Sequence, residues 1–265
     1  MPVEASENST MIDGSMRKEM LVGSFDIRVV EETGSTNDDL KMYARNACVN
    51  RPFVLEAKHQ IRARGTRGRS WKSAEGCMAF SLLLPFSTIQ VPVSLVSIAV
   101  GIGVCRALRE VGCFACLKWP NDVWFEGGKC GGILCETVRD AEGKNVLIAG
   151  VGLNRDSCTE RTTHGWSISG LGGVLACTDA SSPNPMLSPL VASILGILTA
   201  EKADVAATWP LYDAFAGRAI RLDDDEGIWK GLNMGIDSLG RLQLKTNEGV
   251  RTFFSGTFFN DDVAY

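Results

Sequence analysis

Leu117-Lys118-Trp119-Pro120-Asn121-Asp122-Val123-Trp124, with Gly127-Gly128-Lys129-Cys130-Gly131-Gly132-Ile133-Leu134-Cys135-Glu136 just after it, is the stretch on which the fold turns. The first block reads as a strand that turns at Pro-Asn-Asp, residues with a fixed φ or a short side chain that bonds its own backbone. The second reads as a hairpin, with a turn at the glycine pair and a strand from Gly132. Glycines inside a strand weaken it, so they mark places where a ligand or another backbone comes close.

Working outward, strands and helices alternate irregularly. Residues 25–29, 53–57, 79–85 and 146–154 read as strands, the third buried on both faces. After the first comes Gly34-Ser35-Thr36-Asn37-Asp38-Asp39. Ser35 or Thr36 suits an N-cap, and the aspartates suit a first helical turn. A short helix over 40–45 follows. Leu95, Ile98, Ile102, Cys105 and Leu108 recur at helical steps within 94–111, as do Leu187, Leu190, Val191, Ile194, Leu195 and Leu198 further on. Residues 155–185 are loop-rich, and a last helix spans 203–215 with a kink at Pro210. Beyond residue 216 come short strands separated by Gly227, Ser238-Leu239-Gly240 and Asn247-Glu248-Gly249, the pattern of a small β-barrel.

Between two core strands lies Gln60-Ile61-Arg62-Ala63-Arg64-Gly65-Thr66-Arg67-Gly68-Arg69-Ser70-Trp71. The chain as a whole is acidic, with a net charge of −4, so this basic charge is local. Arginine forks and glycine backbone N–H groups suit a phosphate or carboxylate. A solvated basic loop or an RGG-like nucleic-acid segment has the same composition.

The 265 residues are 45% hydrophobic and 22% charged, an ordinary globular balance with room for a sizeable core. Nine scattered cysteines and two histidines show no metal-ligand spacing, and the cysteines read as reduced thiols of an intracellular protein. The polar N-terminal twenty residues lack a signal-peptide core. No apolar run is long enough to span a membrane. The expectation is a cytoplasmic protein.

Four motifs, in order and suitably spaced, resemble those of the biotin protein ligases. They are Gly34-Ser35-Thr36-Asn37, the Gln60 to Trp71 stretch, the Lys118 to Asp122 block with Gly128-Lys129-Cys130-Gly131-Gly132-Ile133-Leu134, and Gly152-Leu153-Asn154. The Lys-Trp-Pro-Asn-Asp block is the most specific. Gly231-Leu232-Asn233-Met234-Gly235-Ile236-Asp237 and Gly240-Arg241-Leu242 resemble that family's SH3-like domain.

The resemblance implies an α+β fold: a disordered lead-in over 1–24, a catalytic domain over 25–215 in which helices pack on a mixed sheet of the class II synthetase-like kind, and a C-terminal SH3-like β-barrel over 216–265. It implies an ATP-dependent, AMP-forming ligase that uses Mg2+. Such an enzyme converts biotin to biotinyl-5′-AMP, releases pyrophosphate and passes biotin to a lysine of a biotin carboxyl carrier domain of a carboxylase. By the same resemblance Ser35, Thr36, Asn37 and Gln60 border the ureido ring. Arg64, Arg67 and Arg69 offset the repulsion between carboxylate and α-phosphate, and Gly65, Thr66 and Gly68 complete their loop. Lys129 contacts both anions, with Gly132 and Ile133 beside it. Trp71 stacks on adenine, and Asn121 and Asn154 lie near adenosine or phosphate. Asp122 either helps deprotonate the incoming lysine or serves the structure. Trp119 reads as a core aromatic.

Two positions depart from the family's Gly-Arg-Gly-Arg-x-Gly-Arg loop. Ala63 adds a methyl where φ is expected to be unusual, and Thr66 removes a cation, which predicts weaker retention of the adenylate. The ending Ser255-Gly256-Thr257-Phe258-Phe259 lacks charge, which argues against an adenylate contact from that domain. Too few residues precede the first strand for a helix-turn-helix, so the expectation is a stand-alone ligase without repressor activity, monomeric or homodimeric, that binds neither nucleic acid nor membrane. The alternatives are a lipoate or octanoyl ligase or transferase of the same superfamily and, remotely, a non-enzymatic RNA-binding adaptor.

Overall fold

The computed structural model describes residues 18–22, 25–69, 71, 76–162, 165–176 and 182–259. The elements in order are β1 (Lys18–Val22), β2 (Phe25–Thr33), α1 (Thr36–Asn46), β3 (Phe53–Gln60), β4 (Met78–Pro85), α2 (Val96–Glu110), β5 (Cys116–Lys118), β6 (Asp122–Phe125), β7 (Gly128–Arg139), β8 (Asn145–Leu153), β9 (Cys158–Arg161) and β10 (Ser167–Ile168). Then come α3 (Leu187–Leu198), α4 (Val205–Thr208), β11 (Ala219–Asp224), β12 (Gly227–Ile236), β13 (Leu242–Thr246), β14 (Gly249–Phe253) and β15 (Thr257–Phe259).

A mixed ten-stranded sheet runs β1-β2-β3-β4-β8-β7-β10-β9, with the β5–β6 pair joined to β7. β2 and β3 are parallel, and β3, β4, β8 and β7 alternate in direction. The parallel step requires a crossover, and α1 supplies it. Helix α1 covers one face of the sheet over Val30, Leu55, Ala57, Leu83, Val146 and Ile148. Helices α2 and α3 cover the other, where Phe80, Leu82, Ile102, Ile133, Val151 and Ile194 belong to the larger core. Strand β4 is buried along its whole length because both faces are covered.

The structure corrects several sequence expectations. The lead-in over 1–24 is not wholly disordered: β1 pairs antiparallel with β2, from Lys18 against Val29 to Val22 against Phe25. The edge of β2 offers unpaired backbone groups to the segment just before it. The rest of the lead-in lies outside the described residues, as do Ser70 and the side chains of Cys158, His164 and Cys177. The hairpin turn sits at Glu126-Gly127, both at positive φ, and β7 begins at Gly128, which puts Lys129 within a strand rather than in a loop. Residues 203–215 do not form one kinked helix. Helix α4 has four residues, and a 3-10 turn over Trp209–Leu211 follows, because Pro210 cannot donate the next helical bond.

The C-terminal strands form one antiparallel sheet, β14-β13-β12-β11-β15. The expected barrel is not closed among the described residues. β15 has three residues and pairs with β11, while β14 pairs with β13, so the two edges do not meet. This sheet is nevertheless anchored to the larger one. Phe258 is fully buried and stacks on Trp119 with centroids 6.3 Å apart. Trp119, 1% exposed, donates its indole N–H to the Gly240 carbonyl at 3.0 Å. Trp119 is thus the core aromatic that the sequence predicts.

Candidate active site

The site is built on the α1 face of the large sheet. Strands β7 and β8 pair Gly132 with Gly152 and Leu134 with Gly150. The three glycines leave a strip without side chains, and neighbours press into it. A Cβ on Gly150 would stand 2.3 Å from Asn37 Oδ1, and one on Gly152 would stand 3.2 Å from the Trp71 ring. The Trp71 ring also lies against Gly132. Its indole N–H is buried without a hydrogen-bond partner.

At one end of the strip stands the start of α1. Ser35 caps the helix with an extended backbone and accepts from Asp38 N. The Thr36 backbone N–H donates to Gln60 Oε1 at 2.8 Å, and Thr36 Oγ1 lies 3.1 Å from the same oxygen. The buried Ser81 hydroxyl lies 2.7 Å from Thr36 Oγ1 and 2.6 Å from Asn37 Oδ1. The Asn37 amide donates to Glu136 Oε2 at 2.8 Å and to the Leu134 carbonyl at 3.2 Å. Glu136 also meets Lys41 at 2.5 Å and Arg64 at 3.3 Å. Burial pushes its carboxyl up, but Lys41, Asn37 and Arg64 more than offset this and hold it below the usual range. Ser81 and Glu136 are site residues that sequence reasoning missed. The available signal was a lone hydroxyl within the apolar run of β4 and a lone carboxylate in the second half of β7.

At the other end Asp122 takes two ammonium groups. Its Oδ2 lies 2.8 Å from Lys118 Nζ and its Oδ1 lies 2.6 Å from Lys129 Nζ. Side-chain exposure is 5% for Lys118, 13% for Asp122 and 23% for Lys129, so Lys129 is the cation that reaches outward. Burial disfavours the Asp122 carboxylate, yet the two lysines outweigh it and hold its carboxyl far below the usual range. Burial pulls the Lys118 ammonium below the ordinary lysine range, against the pull of Asp122. Lys129 Nζ also sits 5.2 Å from the Trp71 ring centroid, within cation–π distance. Asp122 thus fixes the position of the Lys129 ammonium.

The remaining predicted residues divide. Asn154 is 4% exposed, and its Oδ1 is buried without a partner. The Asn121 amide donates to the Ile133 carbonyl at 2.8 Å and ties the β5–β6 turn to β7. Ile133 is buried in the core on the opposite face, so only its backbone borders the site.

The arginine loop projects from the end of β3. Trp71 N donates to the Ala63 carbonyl and Gly65 N to the Arg69 carbonyl, which closes it as a hairpin. Its tip is a 3-10 turn over Thr66–Gly68 with Arg67 at φ 58° and Gly68 at φ 71°. Among the described residues positive φ outside glycine occurs at Arg67 and Glu126, so the unusual φ expected at Ala63 is found at Arg67 instead. Three of the loop arginines lie against other groups. Arg64 is clasped by Asp38 at 2.5 Å and by Glu136, Arg69 bonds Thr66 through the carbonyl and the hydroxyl, and the Arg62 guanidinium lies beside Gly34. Arg67 and Gly68 are exposed.

Comparison with known proteins bears on both parts of the chain. Residues 29–154 match the biotin/lipoate A/B protein ligase family, and residues 215–259 match the biotin protein ligase C terminal domain. A biotin–[acetyl-CoA-carboxylase] ligase of Mycobacterium tuberculosis is 36% identical over 137 residues, a region that spans 48% of this chain and 48% of that protein. The bifunctional ligase/repressor BirA of Escherichia coli is 25% identical over 256 residues, 91% of this chain and 77% of that protein. The biotin protein ligase from Aquifex aeolicus, solved in complex with biotin and ATP, superposes with a TM-score of 0.68 at 27% identity and covers 88% of this chain and 97% of its own.

Proposed function

The chain belongs to the biotin/lipoate A/B protein ligase family, and on that premise we propose that it activates biotin with ATP and transfers it to a lysine of a carboxyl carrier domain. One observation carries the reading: a lysine oriented by a buried carboxylate at 2.6 Å, standing beside a side-chain-free glycine floor under Trp71. The match of the C-terminal sheet to a biotin ligase domain favours biotin over lipoate.

The first step joins two anions. A carboxylate oxygen of biotin attacks the α-phosphorus, a carboxyl–phosphate bond forms, and the bond to the β-phosphate breaks as pyrophosphate leaves. The repulsion between the anions must be offset by cations already in place. Lys129 is such a cation, and Asp122 fixes its position. The arginine loop supplies more positive charge when Arg64 leaves Asp38 and Glu136. Asn154 Oδ1 and the Trp71 indole, both buried and unpartnered, fit an adenine, whose exocyclic amine donates and whose face stacks. The carrier lysine then attacks the carbonyl carbon of the anhydride, AMP leaves, and the new amide loses a proton.

Among the described residues no group of three or more His, Cys, Asp or Glu could hold a metal ion. In this reading Mg2+ would arrive with the nucleotide and, as a hard cation, would offset phosphate charge in the first step. No helix among the described residues is long and apolar enough to cross a membrane.

The test is biotin-dependent exchange of pyrophosphate into ATP, run beside lipoate. Exchange with biotin alone supports the reading. Exchange with lipoate alone, or with neither acid, overturns it.

A further inference from the structure

We propose that Phe258, on the last strand of the C-terminal sheet, is a positioning residue for Lys129, acting on its side chain through Lys118 and Asp122 and on its backbone through Trp166. The inference rests on the biotin reading and deepens it. It names a residue of the second sheet that sets the reacting cation without touching either anion.

The side-chain route starts at the ring. Lys118 Nζ lies over the Phe258 ring, 5.4 Å from its centroid and within cation–π distance. The ring is fully buried and the Lys118 side chain is 5% exposed, so water screens the contact little. An ammonium taken out of water depends on its remaining neighbours. Asp122 Oδ2 at 2.8 Å is one, and the ring face is another. Lys129 and Arg69 oppose them, because both are cations close enough to disfavour a third. The balance matters because Asp122 is shared. While Lys118 is charged it occupies Oδ2, and Lys129 takes Oδ1 at 2.6 Å. Once Lys118 loses its proton, the carboxylate has one cation instead of two. Lys129 is then drawn into it and away from the anions that it must bring together.

The backbone route starts at the carbonyl of the same residue, which accepts the Trp166 indole N–H at 2.9 Å. Trp166 directly precedes β10, where Ile168 pairs with Lys129, and Ser169 N donates to the Lys129 carbonyl at 3.0 Å. The other strand neighbour of Lys129 is Trp124 on β6. The Trp124 ring meets Trp166 edge-on at 5.1 Å, and both meet Phe215 at 5.3 Å, itself 5.5 Å from Phe258. Both strands that flank Lys129 are therefore tied to an aromatic cluster that β15 completes. The uncharged ending Ser255 to Phe259 serves the site by a ring face rather than by a charge.

The test changes the ring's electron density and keeps its shape. A trifluorinated phenylalanine in place of Phe258 weakens the negative face, and Phe258→Leu removes it. In the full chain with lysine labelled by carbon-13 beside the ammonium, NMR follows the titration of Lys118, assigned with Lys118→Met. Its midpoint should lie roughly 0.5–1.5 pH units below wild type in both chains. Biotin-dependent pyrophosphate exchange over the same pH range reads the consequence. The alkaline fall in kcat should begin at a correspondingly lower pH, with the KM for biotin unchanged. A residue that only fills space would leave both profiles in place when the ring is fluorinated. If Phe258→Leu does not fold, the fluorinated chain carries the test alone. A Lys118 midpoint that fluorination does not move, or one that moves without the kcat profile, overturns the role of Phe258 alone. Wild type without biotin-dependent exchange overturns the functional reading and that role with it.

Discussion

Replacing Asp122 by asparagine removes the one charge that holds two lysines. The amide keeps the shape and one acceptor, but Lys118, with 5% of its side chain exposed, is left as a buried ammonium without a counter-ion. Breaking a buried pair from one side costs about 3–5 kcal/mol. For a chain of this size that is a fall in melting temperature of roughly 6–20 °C. The pH dependence identifies the cause. The Asp122 carboxyl is depressed in the fold, so its contribution is present above the unfolded value near about 3.9 and is lost as pH falls below that, toward the folded value. Lys118 is depressed as well, and in the variant no counter-ion opposes burial. The folded variant therefore binds fewer protons than its unfolded chain below the unfolded lysine value near about 10.4, and its stability rises as pH approaches that value. The gap between wild type and variant should be widest near neutrality and narrow at both ends. Urea denaturation at a series of pH values measures it. A gap under about 1 kcal/mol, or one that does not change between about pH 4 and pH 10, would refute the account of the cluster.

Other outcomes follow from named contacts. Gly150→Ala places a methyl 2.3 Å from Asn37 Oδ1 and should weaken biotin binding by roughly tenfold or more, measured by calorimetry, because Asn37 must leave Glu136 or Ser81. Trp119→Phe loses the bond to the Gly240 carbonyl and part of a fully buried ring. It should cost about 2–4 kcal/mol in urea denaturation. Thr66→Arg should slow escape of the biotinyl-adenylate, followed by rapid filtration, because it restores a cation at the tip of the loop. Equal escape rates would remove Thr66 as a determinant of retention.

Local patterning made most elements legible. Ser35 with two aspartates behind it marks a helix start, and the unbroken apolar run of β4 marks a strand covered on both faces. Long-range accounting was less legible. Nothing near Lys18 in sequence says that it will pair with Val29, because an edge strand is specified by the strand it joins. The unclosed C-terminal sheet depends likewise on which edge β15 meets. At the site, the residue types around Lys129 and Trp71 could be read from their motifs. Two features could not. Arg64 turns toward Asp38 and Glu136, carboxylates 26 and 72 residues away in the chain. Ser81 becomes informative only once Thr36 and Asn37 stand over it. The strain placed by pattern at Ala63 appears at Arg67, because backbone φ follows the turn rather than the side chain that departs from the pattern.

The most direct measurement of the central claim uses biotin, Mg-ATP and a carrier domain, with wild type beside Lys129→Ala. Wild type should form biotinyl-AMP and label the carrier lysine. Lys129→Ala should remain folded and lose at least about a hundredfold in adenylate formation, the order expected when a group that stabilises developing charge is removed. Its transfer of biotin from added biotinyl-AMP should fall less. Wild type that forms no adenylate, or a Lys129→Ala variant that forms it at the wild-type rate, would contradict the account.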